Sequence, residues 1–490
     1  METQIDVVVV GAGPVGLLAA IELTLGGARV LVLERLAEPS KVLKAGGVGP
    51  LGLEALARRG MAQAIADASA AAPGRMGQKY SGHFAGLTLI RREAQAEPDR
   101  LGAPIDQQAI EAMLIARAQS LGIEIRRGCQ VVQLTQGDDG VTVDYAAPQG
   151  DGQVRCSWLV GCDGGRSAVR KITGFAFPGY DPSMTMYQAA AEVDHPERLV
   201  RHGFQRTRGG MYMCFAGRLI MMEFDGPPED RDAPVSQAEF ETVLRRVSDA
   251  DVRVTRFENA SRWTDNTRLA DTYRKGRVLL AGDAAHIHSP FGGQGLGLGL
   301  VDATNLGWKL AAVVRGTMPE SLVDTYEAER RPVAEAVLAN TLAQVAIMRP
   351  DPQSGAMRDI MTRVLDCDDA NRFIGGMMSG LAVRYDLGPA AGDLGRLIAD
   401  RAVGEETLYG LMQDGAGVLL DASAGQDASA LVASTGAHIR CVAIEAGPSL
   451  LIRPDACVAW VGEGGGTEGL ADALGRWFIP AVSANPAAAA

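Results

Sequence analysis

Apolar positions fall into three textures along the chain, and each predicts a different kind of element. The first is the unbroken run. IDVVVV at 5–10 is short and β-branched, GAGPVG and LLAAIELTLGG convert it into a helix that stops on glycine, and ARVLVLE at 28–34 is a second such run. Strands without alternation are buried on both faces, so these segments predict a β-α-β unit opening a parallel sheet. AIEAMLIARAQS at 109–120 predicts an amphipathic helix, and 123–135 and 141–145 predict strands. SWLVGCDGG at 157–165 predicts a strand ending in an Asp-Gly turn, and GRVLLAGDAAH at 276–286 returns to buried-strand texture.

The second texture is alternation, between about 178 and 270. GGMYMCF and RLIMMEF flank a tight AGR turn; Met211, Met213 and Phe215 share one strand face, and Met222 and Phe224 repeat the spacing on the neighbour. Period two with Pro- and Asp-rich connectors predicts an inserted, mostly antiparallel sheet. The third texture is helical, from about 298 to 348, interrupted near Gly316 and Pro319. From about 390 a further unit carries GVLLD, CVAIEA, SLLIRP and CVAWVG, a closing helix at 468–477 and a fraying SANPAAAA tail. No internal repeat is present.

One stretch mixes textures. SPFGGQGLGLGLVDATNLGWKL, residues 289–310, alternates glycine and leucine and then turns helical, with Leu298 and Leu300 assigned to the first turns. Each glycine in a helix costs about 1 kcal/mol against alanine, so glycines at 292, 293, 295, 297 and 299 imply a need for bare backbone there.

Composition narrows the class. With 490 residues, two or three domains are expected. Forty-seven basic against 59 acidic residues give −12 without a basic block, which disfavours nucleic acid or an anionic membrane as partner. Seven scattered cysteines without CxxC spacing predict neither a disulfide framework nor a zinc site and fit a reducing cytoplasm. The N-terminal run contains Asp6 and is too short for a signal peptide or membrane span.

Chemistry enters with GAGPVG. Gly11, Gly13 and Gly16, with Pro14 and Val15 between them, fit GxGxxG after a strand and before a helix. The first glycine permits the tight turn, the second the approach of a pyrophosphate, and the third close helix–sheet packing. Glu34 ends the next strand, where an acidic residue accepts hydrogen bonds from an adenosine ribose, and Arg35 follows it. These residues predict a dinucleotide and leave NAD or FAD open. CDGGRSAVR at 162–170 then sets Asp163 and Arg166 behind a strand end, and AGDAAH at 281–286 does the same with Asp283.

Together, in this order, the GxGxxG, DG and GD motifs resemble the class A flavoprotein monooxygenases, the single-component FAD-dependent aromatic hydroxylases. The resemblance covers most of the chain. It implies an α/β fold with a Rossmann-like FAD-binding domain of the p-hydroxybenzoate hydroxylase type over 1–177 and 271–388. An inserted antiparallel-sheet substrate domain would span 178–270 with contributions from about 80–105, and a thioredoxin-like C-terminal domain 389–490. It further implies that Asp283 holds the ribityl chain and that Asp163 and Arg166 shape the groove where NADPH, or NADH in its place, approaches. Gln107 would contact the flavin, and the Gln130–Val131 backbone would lie near the adenine. Pro290, Gly293 and Leu296 would border the reacting edge, with Gln294, Gly295 and Gly297 completing the cradle. Two positions depart from the family: Lys44-Ala45 stands where relatives carry an arginine, and Leu296-Gly297 where they carry an asparagine after the GQG.

Within the family, HIHSPFGGQG, DATNLGWKLAAVVRG, DTYEAERRPVAE and the SLLIRPDACVAWVG tail resemble hydroxylases of aromatic polyketides and rifamycin-like antibiotics. The implied reaction is NADPH- and O2-dependent hydroxylation of a polycyclic aromatic by way of a C4a-hydroperoxide of the flavin, in a cytoplasmic monomer or homodimer. Met213, Phe215, Met222 and Phe224 are the candidate substrate wall, weighed against ordinary core packing. Arg206, Arg208 and Arg218 are weighed against surface charge, and His286 and His288 are read as structural. Baeyer–Villiger insertion, ring opening or antibiotic inactivation stay open, as does an FAD-containing protein that only binds aromatics. The isolated tryptophans argue against a flavin halogenase.

Overall fold

The computed structural model describes residues 5–42, 44–71, 80–200, 203–215, 218–230, 233–389 and 392–479. Ala216 and Gly217 of the AGR turn and the SANPAAAA tail lie outside them.

The unbroken apolar runs build the centre of an eight-stranded sheet. Val278–Leu280, Gly152–Gly161, Ile5–Val10, Val30–Glu34 and Glu124–Arg127 lie side by side and parallel. Helices Pro14–Leu25, Gln107–Ser120 and Gln294–Val314 cover this sheet, and Val7, Val8, Leu17, Leu31, Leu159 and Leu280 in its core are fully buried. The antiparallel pair Gln130–Gly137 and Gly140–Ala146 joins the first half of Gly152–Gly161, whose second half pairs with Ile5–Val10. The expected strand over 123–135 is therefore two strands, broken at Gly128, which adopts φ +72. The strand expected at 157–165 begins earlier, at Gly152.

The alternating region forms a five-stranded antiparallel sheet in the order Gln205–Thr207, Gly210–Phe215, Arg218–Glu223, Thr185–Val193, Val254–Thr264. Helix Gln237–Ser248 buries Phe240, Val243, Leu244 and Val247 against Tyr187, Tyr212 and Met221 on one face. The other face presents Met186, Met211 and Met222 to the hairpin Tyr80–Phe84/Leu87–Arg91 and to Phe291 and Met348. The long helical stretch is two helices, Gln294–Val314 and Ser321–Met348, parted as expected around Gly316 and Pro319. Two further helices, Pro352–Val364 and Asp368–Ser379, are absent from the sequence-based expectation.

The C-terminal unit has a four-stranded sheet ordered Ile439–Ala443, Gly417–Asp421, Ser449–Ile452, Val458–Gly462. The first pair is parallel across helix Asp427–Ala433, the other pairs are antiparallel, and helix Leu470–Trp477 closes the unit. Among the described residues no helix is long and apolar enough to cross a membrane.

Candidate active site

The three fingerprint glycines have three separable reasons. Gly11 sits at φ +107, and a Cβ there would lie 2.4 Å from the Cys162 carbonyl oxygen. A Cβ on Gly16 would lie 2.0 Å from the carbonyl oxygen of Gly11, so the turn and the helix close only without side chains. Gly13 has nothing within 4 Å of its Cβ position: its bareness serves the open space in front of it. It starts helix Pro14–Leu25 without a side-chain cap, so the first-turn N–H groups face that space. Glu34 accepts the Ala12 N–H through Oε2 and the Leu36 N–H through Oε1, both at 2.8 Å, and so pins the loop to the strand end.

The DG and GD motifs are clamped to each other. Asp163 accepts from Ala168 N–H at 2.6 Å, Val169 N–H at 3.1 Å and the Ser167 hydroxyl, which caps helix Ala168–Thr173. Burial pushes its carboxyl up, against those hydrogen bonds. Arg170, which the motif reading passed over, donates to Gly165 O at 2.8 Å and to Ala284 O at 2.9 Å, one oxygen from each motif. Arg166 and Asp283 stay exposed at the cavity wall.

Below Asp283, His286 is buried with Nε2 2.6 Å from Asp302, which also accepts from Arg330 Nε at 2.7 Å and from Gly282 N–H at 3.2 Å. Burial pushes Asp302 up, and Arg330 and His286 outweigh it, holding the carboxyl below its usual value. His288 lies with Nδ1 2.7 Å from Ser289 O, and burial pushes its pKa down.

At the glycine-rich helix start, Gly293 takes φ +63 as N-cap with no side chain capping the first turn. Gln294 is tied down, donating to Met377 O at 3.0 Å and accepting from Asn340 at 2.7 Å. A Cβ on Gly295 would come within 3.3 Å of His288 Nε2, whereas at Gly297 the nearest atom is Gly52 N at 4.0 Å. Gly299 answers to packing instead: its Cβ would lie 2.7 Å from Val15. Leu300 is fully buried and Leu298 nearly so, within the helix as expected.

One continuous cavity of about 2840 Å3 joins these parts. Gly11, Gly13, Pro14, Val15, Glu34 and Arg35 line one end with Val131, Asp163, Arg166 and Asp283. Lys44, Gln107, Pro290 and the Gly293–Gly297 backbone line its middle, and Met186, Met213, Ile220, Met222 and Trp263 of the antiparallel sheet its other end. Gln107 donates to Glu111 at 2.8 Å.

The candidate substrate wall is brought together only in part. Phe224 follows its strand and packs against the Met184–Met211 cluster, and the Phe215 side chain lies outside the description. Arg218 pairs with Asp106 at 2.5 Å and Arg206 donates to Ala85 O at 2.8 Å, while Arg208 is exposed. Sequence reasoning missed His83 in the first hairpin and Phe373 in helix Asp368–Ser379, which line the same cavity. No motif marks them, and they reach it only through tertiary packing.

Comparison with known proteins agrees with this geometry. Residues 4–341 match the FAD binding domain family, and residues 391–481 match the family described as aromatic-ring hydroxylase, C-terminal. A 12-dehydrotetracycline 5-monooxygenase/anhydrotetracycline 6-monooxygenase of Streptomyces rimosus is 42% identical, the match covering 97% of this chain and 99% of that protein. A rifampicin monooxygenase of Streptomyces venezuelae is 41% identical, with 98% and 99% covered. The solved structure of an anhydrotetracycline hydroxylase from Streptomyces rimosus superposes with a TM-score of 0.88 at 39% identity, covering 98% of this chain and 100% of that one. The chain belongs to the FAD-dependent monooxygenases of the aromatic-ring hydroxylase family.

Proposed function

We propose that this enzyme hydroxylates a polycyclic aromatic, polyketide-like substrate with NADPH and O2, FAD lying in the glycine-loop half of the cavity and substrate against the methionine-lined sheet. The observation that carries this is the single cavity running from Gly13 to Met213 and Met222 past an uncapped helix N-terminus. The residues fit FAD: open space at Gly13 and free N–H groups at the starts of two helices suit a pyrophosphate and an anionic ring.

Bound FAD supplies the two-electron chemistry that takes hydride from a nicotinamide and activates O2, one oxygen atom entering the ring and the other leaving as water. The chain holds and shields. The Gly11–Gly16 turn with Pro14 and Val15 would seat the pyrophosphate, Glu34 and Arg35 would hold the adenosine ribose, and the Val131 backbone would hold the adenine. Asp283 would orient the ribityl chain, and Lys44 and Gln107 would hold the flavin. Asp163 acts through the helix it caps, keeping Arg166 at the nicotinamide groove. Free N–H groups of the first turn from Gln294 to Gly297, with Pro290 and Leu296, would oppose negative charge at the ring edge. Met213 and Met222 exclude water from the reacting face.

On this reading the FAD domain comprises 1–177 and 271–388, the substrate domain 178–270 with the 80–105 hairpin region, and the C-terminal domain 389–490. The strand order and directions of the last unit support a thioredoxin-like fold. Free cysteines at 441 and 457 support a structural rather than redox role for it, and a cytoplasmic setting. The test is NADPH consumption by the yellow holoenzyme against a panel of tricyclic and tetracyclic phenols. Substrate-stimulated oxidation yielding a product heavier by one oxygen is expected; binding without stimulation would leave only the aromatic-binding protein.

A further inference from the structure

The hairpin Tyr80–Phe84/Leu87–Arg91 carries a titratable side chain, His83, to the cavity. His83 lines the cavity, its ring edge-on to Phe204 with centroids 4.7 Å apart. Its Nδ1 accepts the Gly86 N–H at 3.3 Å, which leaves the proton of the neutral ring on Nε2. Nε2 has no partner among the described residues.

The turn beneath it is over-determined. Ala85 N–H donates to Gln344 at 3.0 Å, and Ala85 O accepts from Arg206 at 2.8 Å. Ala85 adopts φ +50, unusual for a residue with a Cβ, and a Cβ on Gly86 would lie 2.6 Å from Arg206. Backbone held in such a conformation by its surroundings is a feature of sites where one side chain must be aimed. On the sheet wall of the same cavity, Ser261 Oγ and Trp263 Nε1 are buried and have no hydrogen-bond partner among the described residues. A ligand bearing oxygens would satisfy these groups.

We propose that His83 is a specificity-determining residue, donating its Nε2–H to a carbonyl or phenolate oxygen on the ring system of the substrate; this rests on the substrate class proposed above. Burial, and then the charge of Arg206, push the His83 pKa down to about 4, so the neutral donor persists at physiological pH.

The test uses holoenzyme, following flavin absorbance while titrating a tetracyclic aromatic ketone and, separately, its counterpart lacking ring oxygens. His83→Phe keeps the ring and removes the donor, and His83→Gln restores an N–H near the Nε2 position. Loss of one neutral hydrogen bond weakens binding roughly 3- to 10-fold. His83→Phe is expected to show this loss for the ketone alone, His83→Gln to recover most of it, and all three proteins to bind the oxygen-free counterpart equally. Unchanged ketone affinity in His83→Phe, or equal losses for both ligands, would overturn the assignment. Wild-type holoenzyme that binds neither ligand would overturn the substrate class, and this assignment with it.

Discussion

Gly11 and Gly13 stand two residues apart and answer to different forces. Gly11→Ala puts a Cβ against Cys162 at a positive φ and is expected to cost about 2–4 kcal/mol, read as a lower denaturation midpoint even in apoprotein. A Cβ added at Gly13 meets no protein atom within 4 Å, so Gly13→Val should fold normally and purify without flavin. The same division runs through the second glycine cluster. Gly295→Val crowds His288 and should expel FAD, whereas Gly297→Asn has room and should purify yellow. The sequence motif marks glycines without saying which contact each avoids. Gly299 was legible only as part of the glycine–leucine alternation, because Val15, its neighbour, lies far away in the chain.

Elements tell a similar story. Strands of unbroken apolar residues and helices stopped by glycine or proline were readable locally, since their cause is local. Pro352–Val364 and Asp368–Ser379 were not: only four of their residues, Ser354, Asn371, Ile374 and Gly375, are buried, so little of either helix belongs to the core. The DG motif was legible as a turn, but its partner was not. Asp163 is spent on capping helix Ala168–Thr173, and Arg170 bolts that helix to the GD turn. Asp163→Ala should cost about 1–3 kcal/mol and impair NADPH reduction more than FAD retention, measured by anaerobic stopped-flow reduction. Equal loss of both would place Asp163 on the flavin rather than beneath the groove.

At the scale of the molecule, a buried charged network joins the FAD and C-terminal units. Arg453 donates to Glu329 at 2.7 and 2.8 Å and to Asp455 at 2.6 Å, and Lys309 reaches Glu329 at 2.8 Å. Arg59 binds Glu22 and the carbonyls of Met412 and Pro454 nearby. These contacts fix the C-terminal unit against the helices that carry the site, and removing one partner of such a pair costs about 3–5 kcal/mol. Burial pushes Glu329 up, but Arg453 and Lys309 outweigh it and hold the carboxyl well below the usual carboxylate range. Its contribution is therefore complete above the unfolded value of 4.5 and is lost as pH falls below it. Thermal midpoints should drop between about pH 5 and 3, and Glu329→Gln should flatten that slope while lowering stability at neutral pH. No residue type or spacing in the sequence foretold this network, whose members are brought together only when the units dock.

The fate of the two oxygen atoms tests the proposed hydroxylation most directly. Turnover of NADPH and a polycyclic phenol under 18O2 should give a product carrying one labelled oxygen atom for each NADPH oxidised in its coupled fraction, with the second atom in water. NADPH oxidation that yields only labelled hydrogen peroxide, with the aromatic recovered unchanged from a bound complex, would contradict it.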